Sequence, residues 1–189
     1  MPTRILLLAL CLQLSEAGAT VVVARQVEEL AARVPLVVRA RAGASESRWD
    51  AEHRSIHTWT PMQVSEVLKG RAPSLLVVRQ AGGEVGRVGQ EVSGEVRFRE
   101  GEEILLFLDH PGDDAQAWVV AGMALGKVSF VTAVDGKLHA VRDARGLGLY
   151  DVHAQVVRRP GGPEDLGPVE PFLERMRAAV KVRAPAVEP

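Results

Sequence analysis

In the segment GEEILLFL, residues 101–108, the run ILLFL (104–108) is the most hydrophobic in the chain after its first nineteen residues. Gly101 turns the chain, and Ile104, Leu105, Leu106, Phe107 and Leu108 follow without a polar break. A short apolar run between turn signals predicts a strand. HPGDD at 110–114 then predicts a turn. Three more strands are expected at 118–121, 127–131 and 138–141, separated by Gly122, Gly126 and Asp135-Gly136.

Upstream lies AGGEVGRVGQEVSG, residues 81–94, with Gly82, Gly83, Gly86, Gly89 and Gly94. Before it, LLVV at 75–78 reads as a short strand buried on both faces, and 69–71 as a turn. Residues 56–68 read as a long strand. Met62, Val64 and Leu68 share a parity that Glu66 and Val67 break, and a bulge near Ser65-Glu66 restores the alternation. Pro61 places its neighbourhood on an edge or at a bulge. LVVRARA at 36–42 alternates as a half-buried strand, and the polar run 43–54 reads as a loop.

Helical periodicity occurs at both ends. Val27, Leu30, Ala31 and Val34 share one face of a short helix that Pro35 ends. Phe172, Leu173, Met176, Ala179 and Val180 form the stripe of a helix over 171–182, with Pro171 in its first turn and Arg175, Arg177 and Lys181 towards its end. PGGPEDLGP, residues 160–168, reads as a linker and APAVEP as a tail. About seven strands with turns every 8–12 residues predict an all-β fold, a closed antiparallel barrel or small sandwich. No βαβ alternation and no internal repeat is present.

The first nineteen residues read as a secretory signal. Arg4 is the basic start, residues 5–14 the apolar stretch, and Ala17-Gly18-Ala19 the cleavage site. Thr20 then begins a mature chain of roughly 170 residues, enough for one domain with its own core. The organisation expected is 1–19 signal, 20–159 barrel, and 160–189 linker, helix and tail. Cys11, the single cysteine, lies in the apolar stretch behind Leu10, too large for a lipobox. The mature chain has neither thiol nor disulfide, so burial must stabilise it. Formal net charge is −1, which makes no electrostatic case for nucleic acid or anionic membrane. No stretch after the signal has a membrane span's length.

Candidate chemistry is sparse. His53 and His57, near Asp50 and Glu52, have the spacing of a helical zinc pair. Residues 56–59 read as a strand start, however, and solvated loop residues are the better reading. Asp109, Asp113 and Asp114 flank a Pro-Gly turn and are calcium candidates without EF-hand spacing. Ser, His and Asp occur without a nucleophile elbow. Glu102-Glu103 and Glu84 are candidate carboxylates for glycoside hydrolysis, but Glu102 and Glu103 point to opposite faces and pair poorly, and few aromatics are present to stack on a sugar. The expectation is no enzyme and no cofactor. The glycine-rich segment lacks a P-loop lysine and reads as barrel corners or as a binding loop carrying Gly82, Gly83, Glu84, Gly86 and Gly89. Trp118 reads as core. Trp59, beside Arg48, Arg54 and His57, is a candidate partner-binding residue.

VSEVLKG at 64–70, VVRQAGGEVG at 77–86, FREGEEILLFL at 98–108 and GMALGKVSF at 122–130 resemble exported bacterial proteins of a myxobacterial type. The strand-then-Lys-Gly pattern also resembles the opening of netrin-like modules, the OB-type barrels that include tissue inhibitors of metalloproteinases. The resemblance implies an OB-like, netrin-like barrel and contact with a protease through the mature N-terminus, here Thr20. Those inhibitors carry an N-terminal cysteine, which this chain lacks. The expected function is an exported, non-catalytic module. Its expected partner is another extracytoplasmic protein, a secreted metalloprotease in the sharpest version. An envelope assembly factor and a calcium- or small-ligand-binding domain are the alternatives.

Overall fold

Ile104 to Leu108 are all fully buried in the computed structural model, which describes residues 20–110 and 117–182. The chain runs β1 (Thr20–Val23), α1 (Val27–Arg33), β2 (Leu36–Ala42), β3 (Glu46–Trp49), β4 (Ile56–Lys69), β5 (Leu75–Ala81), β6 (Gly83–Val85) and β7 (Val88–Gln90). It continues through β8 (Glu103–Asp109), β9 (Val119–Val120), a 3-10 turn (Met123–Gly126), β10 (Lys127–Thr132), β11 (Leu138–Arg142), β12 (Leu147–Asp151), β13 (Val156–Arg158), β14 (Glu164–Pro168) and α2 (Val169–Val182). The fold is mostly β, with two helices and antiparallel sheets. The signal reading and Cys11 lie outside the described residues.

The main sheet runs β14-β11-β10-β8-β2-β4-β3, with β5 on the other side of β4 and β9 on β8. β2 and β8 pair from Leu36↔Leu108 to Arg41↔Glu103. They are central and buried on both faces, so their apolar runs are continuous. One parity (Leu36, Val38, Ala40, Ile104, Leu106, Leu108) faces the interior shared with Met62, Leu76 and Val78. The other faces the helices. Glu66 and Lys69, in register with Arg39 and Val37, reach α2 and α1 from that side.

The bulge near Ser65-Glu66 is present. Arg39 pairs with Glu66 and Ala40 with Val64, which leaves Ser65 unpaired; a second slip leaves Leu68 over. Each extra residue bends β4 and adds twist. Pro61 is at neither an edge nor a bulge. It sits where β4 passes from β3 to β2, and its carbonyl accepts from the Gly43 N–H (2.8 Å). The ladder is interrupted there, so the missing Pro61 N–H leaves no partner unmet.

Several other expectations are corrected. Residues 43–54 contain β3, held by cross-strand pairs rather than by apolar pattern. β5 is half-buried: Leu76, Val78 and Gln80 face in, while Leu75 is 60% exposed because no layer covers that face. The linker reading of 160–168 gives way to β14, which His139–Asp165 and Arg142–Glu164 side-chain bonds tie to β11. β12 and β13 were not anticipated. With β1 they form a separate sheet in which β1 and β12 run parallel.

No closed barrel is delineated among the described residues. The sheet does curl. Val78 bridges Trp118 in parallel, with the Arg79 N–H donating to the Trp118 carbonyl (2.7 Å) and the Trp118 N–H to that of Val77 (2.8 Å). β9 follows directly and pairs with β8. Trp118 is partly buried against the core.

Both predicted helices are present. α2 buries Phe172, Leu173 and Met176 completely. Arg177 meets Glu66 through two bonds (2.8 and 2.9 Å), which hold the Glu66 carboxyl below its usual range. α1 buries Val27, Leu30 and Ala31, and the Lys69 ammonium donates to the carbonyls of Ala31 (2.8 Å) and Ala32 (3.0 Å) at its C-terminal end. No helix among the described residues is long and apolar enough to cross a membrane.

Candidate functional site

The inward parity of β4 and β5 changes from apolar to polar along its length. Met62, Leu76 and Val78 are followed by Thr60, Gln80 and Thr58, and Thr60 and Gln80 are buried. Buried polar groups require partners. The Thr60 hydroxyl donates to Gln80 Oε1 (2.8 Å), so Ser45 donates to Thr60 (2.8 Å), and Gln80 Nε2 donates to the Val96 carbonyl (2.8 Å). Thr58 donates to the Gly82 carbonyl (2.7 Å), so Ser47 donates to Thr58 (2.8 Å).

The glycine-rich segment folds over this polar end. β6 and β7 form a hairpin, with Gly86 (φ 62°) in the two-residue turn between Val85 and Val88. Gly82 (φ 85°) and Gly83 (φ 139°) fix its root. A Cβ on Gly82 would lie 2.5 Å from the Gln90 carbonyl oxygen, and one on Gly83 would overlap the hydroxyls of Thr58 and Ser47. Only glycine permits so close an approach. Gln90 Oε1 accepts from the Ile56 N–H (2.7 Å) and ties the second strand down.

Between hairpin and sheet lies a cleft of about 450 Å³. Gly82, Gly83, Glu84 and Gly89 of the predicted residues line it, with Thr58, Gln80, Glu91, Glu95 and Arg97. Glu95 accepts from the N–H of Val96 (3.1 Å) and of Ala81 (3.4 Å). Burial pushes its carboxyl above the usual range, against those two N–H groups and His57. Arg97 is bonded to Glu91 (3.0 Å).

The other predicted residues lie elsewhere. Gly86 is exposed at the hairpin turn, away from the cleft lining. Trp59 has the opposite parity on β4. Arg48 stacks over its ring at 3.9 Å, and His57 stands edge-on at 5.8 Å. Thr20 pairs with Leu147 at the start of β1. The far end of the glycine-rich segment meets that pair: Ser93 donates to the Gly146 carbonyl (3.0 Å), and Gly94 leaves room for the Leu147 side chain. Asp109 is exposed and accepts from the His110 N–H (2.8 Å); Asp113 and Asp114 lie outside the described residues. His53 stacks on Trp49 at 6.2 Å, on the face of the β3–β4 pair opposite His57. Glu102 binds Lys127 and Ser129, while Glu103 binds Arg39 and Arg41.

Thr58, Gln80 and Glu95 were missed from sequence. The usable signal was polar residues at the inward parity of β4 and β5. Comparison with protein families, curated proteins and solved structures finds no match to the chain.

Proposed function

We propose that this chain is an exported, non-catalytic protein-binding module that meets its partner with the β6–β7 hairpin and the cleft beneath it. One observation carries the reading: an exposed hairpin is pinned at its root by Gly82 and Gly83 against Ser47 and Thr58. A loop held rigid by its scaffold loses little freedom on binding. The hydroxyls of Ser45, Ser47, Thr58 and Thr60 bond to one another, to Gln80 and to a carbonyl rather than to a base. That pattern favours binding over nucleophilic chemistry. Export is supported by the charged, apolar and small-residue order of the first nineteen residues.

We further read β2, β4, β5, β9 and β8 as an OB-type barrel. Its support is the unbroken run of neighbours from β8 through β2, β4 and β5 to Trp118 and β9. An OB barrel has five strands and is partly open. The sharpest form of the proposal is an inhibitor or modulator of a secreted metalloprotease, with Thr20 or residues 82–94 at the contact. The neighbourhood of Thr20, Leu147 and Gly94 supports it by joining the two parts of that surface.

The test is an affinity capture with residues 20–189 from the secreted and envelope fractions of the host, read by mass spectrometry. A captured metalloprotease that the protein slows supports the inhibitor form, and removal of Thr20 tests its contact. Envelope components without protease inhibition favour an assembly role. An empty capture removes the protein-binding reading.

A further inference from the structure

The cleft under the hairpin is rich in acceptors. Glu84, Glu91 and Glu95 bring carboxylates to its lining, beside the Thr58 and Gln80 oxygens that are bonded to Ser47, Gly82 and Thr60. The cation of the lining, Arg97, is bonded to Glu91. Glu95 receives two backbone N–H groups, one of them long, and no ion pair among the described residues includes it. A half-buried carboxylate with open acceptor positions, and with His57 near it but no cation bonded to it, is electrostatically incomplete. Its elevated pKa has the same physical origin. An incoming N–H cation would restore the charged form and supply directional donors.

We propose that the cleft takes an alkylammonium or guanidinium group, held by Glu95 with Glu84 beside it. The proposal rests on the reading of the cleft as a contact surface and names the chemistry that surface receives. The hairpin fits the role, because Gly82, Gly83 and Gly89 bring bare backbone to the cleft lining, and Gly82 and Gly83 hold it close to Gln90, Thr58 and Ser47 where no Cβ would fit.

Full-length protein is titrated at neutral pH with N-acetyl-Gly-Arg-Gly-amide, with its citrulline counterpart and with agmatine. Amide NMR shifts of Gly82, Gly83 and Gly89 report binding. The arginine peptide or agmatine is expected to move these signals, and the citrulline peptide is not. Tighter binding by the peptide identifies a partner's side chain as the source; tighter binding by agmatine identifies a small free cation. Glu95→Gln keeps an acceptor for the Val96 N–H, while its amide nitrogen replaces the oxygen that takes the longer Ala81 bond, and is expected to weaken binding about tenfold or more. Should that variant lose its fold, Glu84→Gln is the substitute, with an expected weakening of roughly threefold. Equal shifts from the citrulline peptide, no shifts from either cation, or unchanged affinity in the folded variant would overturn the proposal. If Glu95→Gln still captures the same partner as the parent protein, the cation reading fails while the protein-binding reading stands.

Discussion

Gly83 is the residue on which the site geometry depends most directly. Its φ of 139° and the overlap of any Cβ with Thr58 and Ser47 leave side chains no room. Gly83→Ala is expected to cost about 1–3 kcal/mol in urea unfolding and to speed proteolytic nicking at residues 83–90. Gly86, with open space around its would-be Cβ, tolerates alanine better despite its positive φ. The glycines were visible in the sequence as barrel corners or a binding loop, but their unequal roles were not. What separates Gly83 from Gly86 is a pair of hydroxyls on two other strands. Glu95 escaped notice for a related reason: only burial against Ala81 and Val96 distinguishes it from other glutamates.

At the scale of elements, two side chains join pieces distant in sequence. Lys69 donates to two carbonyls at the end of α1, a helix of 7 residues. Lys69→Met is expected to lower stability by about 1 kcal/mol in urea unfolding, with helical signal lost ahead of the strands. His139 joins β11 to β14. Hydrogen bonding to Asp165, and then the charges of Asp165 and Asp135, raise its pKa against partial burial. The folded state therefore binds a proton that the unfolded chain releases first. The stabilisation is complete below the ordinary histidine value of 6.5 and is lost as pH rises through the higher folded value. The melting temperature should fall across that window, and His139→Gln should flatten the fall. A slope unchanged in the variant would exclude His139 as its source.

Over the whole molecule, β8 couples two packing layers, one inside the curled sheet and one beneath α1 and α2. Phe107 is fully buried in the helix-side layer. Phe107→Ala is expected to cost about 3–5 kcal/mol, and tryptophan fluorescence and circular dichroism should lose signal together as the layers unfold as one. Features that need only a few neighbouring residues were legible from residue order. These are the apolar run of β8, the bulge that Ser65 makes in β4, and the periodic faces that end in Pro35 or begin near Pro171. Tertiary structure alone decided β3, β12, β13 and β14, whose residues carry little apolar pattern and are strands because of what they pair with. It also decided which side of β4 receives Thr58 and which receives Trp59. Parity becomes a face only once register and curl are set, and both depend on hydrogen bonds between residues far apart in the chain.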